Sequence, residues 1–117
     1  MNKLCILVVD DCLDLARALA QLLSEWGHEV AVAADGPQAL QAASIAHFDV
    51  AVLDLELPGM DGFELAERLR RQPGQASIRL VAMTGRSEVE WQRRVEEVGF
   101  DHYLVKPVPP SRLKALL

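Results

Sequence analysis

Residues 4–11 read LCILVVDD: an unbroken apolar run, Leu4–Val9, rich in branched side chains and stopped by Asp10 and Asp11. A run this short, with no polar alternation and bounded by carboxylates, predicts a strand buried on both faces. The pattern then changes period. From Leu13 to Trp26 the apolar positions Leu15, Leu19, Leu22, Leu23 and Trp26 recur at three and four, one face of a helix, and Gly27 stands where a left-handed cap closes it. The same couple of strand and helix repeats along the chain. Glu29–Ala33 is a second strand, and Asp35-Gly36-Pro37 turns it into a helix from Pro37 to about Ala46, with proline at the start. Val50–Leu53 is a third strand, ending at Asp54. The loop LELPGMDG (55–62) leads into a helix from Phe63 to about Arg71, which Gln72-Pro73-Gly74 breaks. Ile78–Met83 is the fourth strand, ending at Thr84-Gly85. Ser87, with Glu90 three residues on, predicts a capping box for a helix over Glu88–Val98, closed by Gly99. His102–Val105 is the fifth strand, Lys106-Pro107 follows, and a last helix begins at Ser111.

Every crossover is long enough for a helix, so the expected architecture is α/β: a (βα)5 doubly wound parallel sheet covered on both faces. The 117 residues make one domain, 1–117, with a last helix that is short and reads as a cut from something longer. Half the residues are hydrophobic and a quarter charged, which suits a folded domain and needs no disulfide or metal staple. A net charge of −5 argues against a nucleic-acid role for this domain, since phosphate-backbone affinity rests on Lys and Arg. No apolar run approaches the ~20 residues of a bilayer crossing, and no secretory leader precedes the first strand. Cys5 and Cys12 lack metal-ligand or redox spacing, so the expected setting is a reducing cytoplasm without membrane contact. His28, His47 and His102 are scattered and suggest neither a metal cluster nor a phosphohistidine.

In an open parallel sheet, ligands bind beyond the carboxyl ends of the strands. Here those ends carry Asp10 and Asp11, then Asp54, Thr84 and Lys106, while the second strand ends in Ala33-Ala34 and is expected to lie to one side. Carboxylates gathered closely repel and need a cation to stay ionised together. Hard oxygen donors suit Mg²⁺ or Mn²⁺ better than zinc. A carboxylate beside such an ion can attack phosphorus and form an aspartyl-phosphate, with the lysine ammonium and the ion neutralising the transferring group.

The chain resembles a response-regulator receiver domain of bacterial two-component signalling over essentially all of its length. LVVDD ending at Asp11, DLELPGMDG from Asp54, MTG at Met83–Gly85 and YLVKP ending at Lys106-Pro107 carry the resemblance; each is weak alone, and the set in this order is specific. The resemblance implies a flavodoxin-like sheet of strand order 2-1-3-4-5. It implies phosphorylation of Asp54, metal ligation by Asp11, Asp54 and the backbone carbonyl of Glu56, and a metal-bound water held by Asp10. Thr84 is then the switch hydroxyl, Lys106 the phosphoryl and carboxylate partner, and Tyr103 the switch aromatic; the bond before Pro107 is expected to be cis. The implied partners are a sensor histidine kinase or phosphotransfer protein and an output partner or effector domain not in this sequence. A weak homodimer through the face from the fourth to the fifth helix is compatible with the pattern. GFDHYLVKP and the short tail resemble receivers of hybrid sensor kinases, and standalone regulators look similar.

Glu56 and Arg86 stand two residues past Asp54 and Thr84, so their side chains are expected to overhang the site, pair, and set the lifetime of an aspartyl-phosphate. Trp91, Val95 and Val98 read as the packed face of the fourth helix, with Val89 outside. Other classes fit poorly. An aspartyl-phosphate phosphatase wants a second Asp two residues after the nucleophile, where Glu56 stands. A flavin module wants a hydroxyl-rich loop after the first strand, and nucleotide-binding glycine loops are absent. The remaining alternative is a degenerate receiver that only docks partners.

Overall fold

The computed structural model describes residues 3–117. Strands and helices alternate: β1 (Cys5–Val9), α1 (Leu13–Glu25), β2 (Glu29–Ala33), α2 (Gly36–Ile45), β3 (Val50–Asp54), α3 (Gly62–Arg71), β4 (Arg79–Thr84), α4 (Val89–Val98), β5 (His102–Val105) and α5 (Pro110–Leu116). All the strand pairs are parallel and the sheet order is β2-β1-β3-β4-β5, as expected, with β2 on the edge.

Side chains of successive strand residues leave opposite faces of the sheet, so the unbroken apolar strands feed two cores. Leu7, Val9, Ala51, Leu53 and Leu80 pack against Ala39 and Ala43 of α2 and Leu65 and Leu69 of α3. Ile6, Val8, Val50, Val52 and Val81 pack on the other face against Ala16 and Leu23 of α1 and Leu113 of α5. A third cluster, Leu55, Phe63, Ala82 and Val95, seats α4 beside α3 with Trp91 at its margin. Trp91 meets Phe63 edge-on at 5.1 Å between ring centres. Truncating any fully buried leucine of these layers to alanine would cost about 2–5 kcal/mol.

One polar side chain lies deep in this packing. Gln75 is 1% exposed. Its Oε1 accepts from the Phe48 N–H (3.2 Å), and its Nε2 donates to the carbonyls of Ala43 (3.0 Å) and Ala46 (2.7 Å). It thereby supplies partners to main-chain groups at the open end of α2 and the entry to β3.

The start of α4 differs from the capping box read in Ser87 and Glu90. The helix begins at Val89, with Glu88 in the cap position and no side-chain cap bond. The Ser87 carbonyl instead accepts from the Gln92 side-chain amide (3.1 Å), and Arg86 Nε donates to Glu88 Oε1 (3.4 Å). These bonds hold the chain outside the helix one residue longer. Smaller shifts occur at α2, which starts at Gly36 with Asp35 as its cap, and at β4, which starts at Arg79. The Lys106–Pro107 bond is cis, and Gly27 and Gly99 take the left-handed conformation beyond their helices. No helix among the described residues is long and apolar enough to cross a membrane.

Candidate functional site

Strand register alone brings the polar strand ends together. Val9 lies opposite Leu53, Asp54 opposite Met83, and Thr84 opposite Val105. The residues at or just past those pairs are Asp10, Asp54, Thr84 and Lys106, so four distant segments meet on one rim. The ladder runs past the strand ends through the N–H groups of Leu55 to Met83 O (3.1 Å) and Lys106 to Thr84 O (2.8 Å).

Three of those strand ends are finished by the same device, a side-chain oxygen that accepts the N–H two residues on. Asp10 Oδ1 accepts from Cys12 (3.0 Å), Asp54 Oδ1 from Glu56 (3.0 Å) and Thr84 Oγ1 from Arg86 (3.1 Å). The loops are thereby turned away from the rim. The second oxygen of each aspartate is left for Lys106, whose Nζ lies 3.0 Å from Asp10 Oδ2 and 3.3 Å from Asp54 Oδ2. Asp10 and Asp54 are 7% and 8% exposed, and Asp11 beside them is open to solvent.

The electrostatics of this group are unbalanced. Carboxylate oxygens of Asp10, Asp11 and Asp54 lie within 4.8 Å of one another. Lys106 offers them a single positive charge. Burial pushes the Asp54 carboxyl above its ordinary value, and the Glu56 N–H and Lys106 ammonium only partly oppose this. Burial pulls the Lys106 ammonium down, but its bond to Asp10 and the charges of Asp54 and Asp10 outweigh that and leave it raised. A compact, oxygen-only donor set with excess negative charge is the kind that hard divalent cations take.

Gly62 sets the wall on the far side of Asp54. A Cβ there would lie 2.7 Å from both the Asp54 carbonyl oxygen and Leu55 Cα. Only glycine lets the first turn of α3 lie directly on the end of β3. Asp61 caps that turn by accepting from the Glu64 N–H (2.9 Å).

The loop after β4 converges on Arg86. The Tyr103 hydroxyl donates to the Arg86 carbonyl, so main-chain groups of this one residue are bonded to both Thr84 and Tyr103. Its guanidinium lies 4.4 Å from the Trp91 ring centre, with Nε 3.4 Å from Glu88 and 4.0 Å from Glu56. Burial and the charge of Glu88 push the Tyr103 phenol above its ordinary value. The expected approach of Glu56 and Arg86 is therefore present, but Glu88 is the nearer partner. Glu88 and Trp91 were not singled out by the residue pattern as neighbours of this site; their place at the start of α4, directly after the loop that follows Thr84, is the signal that was available.

The fold has counterparts in known proteins. The family model of the response regulator receiver domain matches residues 6–117. The transcriptional regulatory protein TcrA of Mycobacterium tuberculosis is 40% identical over 112 residues, covering 96% of this chain and 44% of TcrA. This chain thus spans about half the length of the curated relatives it matches. The chemotaxis protein CheY4 of Vibrio cholerae superimposes with a TM-score of 0.91 at 34% identity, over 98% of this chain and 97% of that one. The receiver domain of the sensor histidine kinase PA1611 of Pseudomonas aeruginosa, solved with a magnesium ion coordinated in its active-site cleft, gives 0.87 at 25% identity over 98% and 94%. With a match that runs from the first strand to the last helix, this chain belongs to the response regulator receiver domain family of two-component signalling.

Proposed function

We propose that the domain is a phosphorylation switch whose acceptor is Asp54. The observation that carries this reading is the pair of buried aspartates at the rim, Asp10 and Asp54, sharing one lysine ammonium, with Asp11 and Thr84 beside them. The donor is the phosphohistidine of a sensor histidine kinase or phosphotransfer protein. An Asp54 carboxylate oxygen attacks phosphorus, the P–N bond breaks, and its electron pair remains on the imidazole nitrogen. Hydrolysis reverses the gain: water attacks phosphorus, the P–O bond to Asp54 breaks, and inorganic phosphate leaves. The domain catalyses only these changes in itself.

Asp11, Asp54 and the main-chain carbonyl of Glu56 would hold Mg²⁺ or Mn²⁺, with Asp10 against its hydration shell. Such an ion supplies neutralisation of the phosphoryl oxygens. The PA1611 receiver, solved with magnesium in its own active-site cleft, supports this choice of ion. Lys106 pairs with the acceptor carboxylate before transfer and with the phosphoryl group after it. Thr84 gives up the Arg86 N–H and donates its hydroxyl to a phosphoryl oxygen. That movement reaches Tyr103 through Arg86, and the surface of α4, β5 and α5 changes as the two packings exchange. Residues 1–117 act as the receiver unit, and output passes to a partner or an effector domain. Glu56 and Arg86 partly cover the path of water to the acylphosphate and set its lifetime.

Intact mass after incubation with acetyl phosphate tests the reading. One phosphoryl adduct is expected with Mg²⁺, none with EDTA, and none in Asp54→Asn. An adduct that persists in Asp54→Asn would assign a different nucleophile, and none from several small donors or a cognate phosphohistidine would favour a docking module.

A further inference from the structure

We infer that Trp91 is a positioning residue for Arg86: its ring face holds the Arg86 guanidinium at the mouth of the rim, and through that arginine it sets how readily water reaches a phosphorylated Asp54. The placement stands on geometry. Its effect on lifetime rests on the function proposed above and on the part given there to Arg86. The guanidinium lies 4.4 Å from the Trp91 ring centre, within cation–π range. The ring is itself fixed by its neighbours. It stands edge-on to Phe63 at 5.1 Å and 79° between planes. Phe63 is buried and meets Phe100 edge-on at 6.2 Å. The Arg94 guanidinium lies 4.1 Å from the Phe63 ring centre and reaches Asp61 at 3.7 Å. A packed aromatic cluster thus runs from the seam of α3 and α4 out to the long side chain of Arg86.

Charge alone does not fix Arg86. Glu88 at 3.4 Å and Glu56 at 4.0 Å share the same Nε, and all three side chains are at least half exposed. Exposed ion pairs of this kind are weak and screened by salt, and two carboxylates sharing one nitrogen leave the arginine free to follow either. A planar guanidinium stacked on a fixed ring has fewer choices. The polar edge of Trp91 points the same way, since its enclosed N–H has no hydrogen-bond partner among the described residues and the ring is used for its face. The main chain of Arg86 is already held, its N–H by Thr84 Oγ1 and its carbonyl by the Tyr103 hydroxyl, so only the side chain remains to be placed. When Thr84 gives up the Arg86 N–H, as proposed above, one of those anchors goes and the stack on Trp91 carries more of the placement. Trp91 acts on the site through Arg86.

Two measurements test this. Proton NMR of the unphosphorylated domain reads the placement: the Arg86 side-chain protons beside the guanidinium are expected upfield of their ordinary positions through the Trp91 ring current, to stay there in about 0.5 M salt, and to return in Trp91→Leu. Ordinary shifts in the parent, or a displacement that salt removes, would overturn the inference. Intact mass after donor removal reads the effect on the Asp54 adduct. Losing an exposed cation–π contact lowers the stacked population about two- to fivefold, so Trp91→Leu is expected to shorten the half-life by up to about that factor, and no further than Arg86→Ala does. Trp91→Phe keeps a ring face and is expected to recover most of the parent half-life. In an Arg86→Ala background, Trp91→Leu is expected to add nothing. A further shortening there would show that Trp91 works through packing instead of Arg86 and would overturn the inference, as would a parent half-life in Trp91→Leu. An upfield shift that Trp91→Leu abolishes, with a half-life indifferent to Arg86→Ala, would uphold the placement and refute the part given to Arg86 under the proposed function.

Discussion

Gly62→Ala puts the relation between packing and chemistry to a direct test. The added methyl would sit 2.7 Å from the Asp54 carbonyl oxygen and 2.7 Å from Leu55 Cα, where ordinary contact begins at 3.4 Å. Both obstacles are main chain, so no rotamer change relieves them. Either α3 lifts by several tenths of an ångström or the end of β3 bends. Overpacking of this kind costs typically 1–3 kcal/mol, and the gain of alanine over glycine in a helix returns at most about 1 kcal/mol. A net loss of about 1–2 kcal/mol is expected. At a urea slope of about 2 kcal/mol/M, the unfolding midpoint falls by roughly 0.5–1 M. Because one of the displaced atoms is the carbonyl oxygen of the proposed acceptor and the other lies on the next residue, the rate of adduct formation with acetyl phosphate is expected to fall as well, under conditions where the variant is fully folded. Gly85→Ala is the control: a Cβ there meets nothing within 4 Å, so its stability is expected within about 0.5 kcal/mol of the parent. If Gly62→Ala matched the parent in both midpoint and rate, the close packing of α3 on β3 would have no role in holding the site.

Three other variants separate the contributions of the rim from those of the packing beneath it. Lys106→Met removes the one ammonium between Asp10 and Asp54; adduct formation is expected to slow by about tenfold or more, while Mg²⁺, titrated calorimetrically, binds more tightly because a competing cation is gone. The double variant Glu56→Ala, Arg86→Ala is expected to shorten the half-life of the Asp54 adduct, followed by intact mass after donor removal; an unchanged half-life would sink the idea that the pair screens water. Gln75→Ala strips partners from the Phe48 N–H and the carbonyls of Ala43 and Ala46, and urea unfolding is expected to show a loss of about 2–4 kcal/mol with the rim chemistry unaltered in the folded fraction.

Much of the rim was legible because it rests on periodicity and register. A doubly buried strand cannot hide its apolar run, and a parallel sheet carries whatever follows each run to the same edge. Asp10, Asp54, Thr84 and Lys106 needed only that argument to be placed together. What escaped was set by tertiary choice. Gln75 follows Pro73-Gly74 in a stretch that reads as a solvated break, and nothing local marks its amide as the partner of main-chain groups near residue 45. The capping box at Ser87 was a sound local reading that does not form, because the helix starts one residue later, with the Ser87 carbonyl held by Gln92 and the Glu88 carboxylate by Arg86. The stack of Arg86 on Trp91 depends on how α4 settles beside α3, a contact no spacing encodes.

The bond between Lys106 and Asp10 joins positions 96 apart in the chain. Its formation requires the first and last strands to be in place on either side of β3 and β4, so the site exists only after the sheet is complete. A nascent chain still lacking β5 would carry its aspartates without their ammonium. Under the function proposed above, the chemistry thus acts as its own audit of synthesis: a copy without its last strand lacks the ammonium that speeds its modification and signals weakly rather than sending a false message.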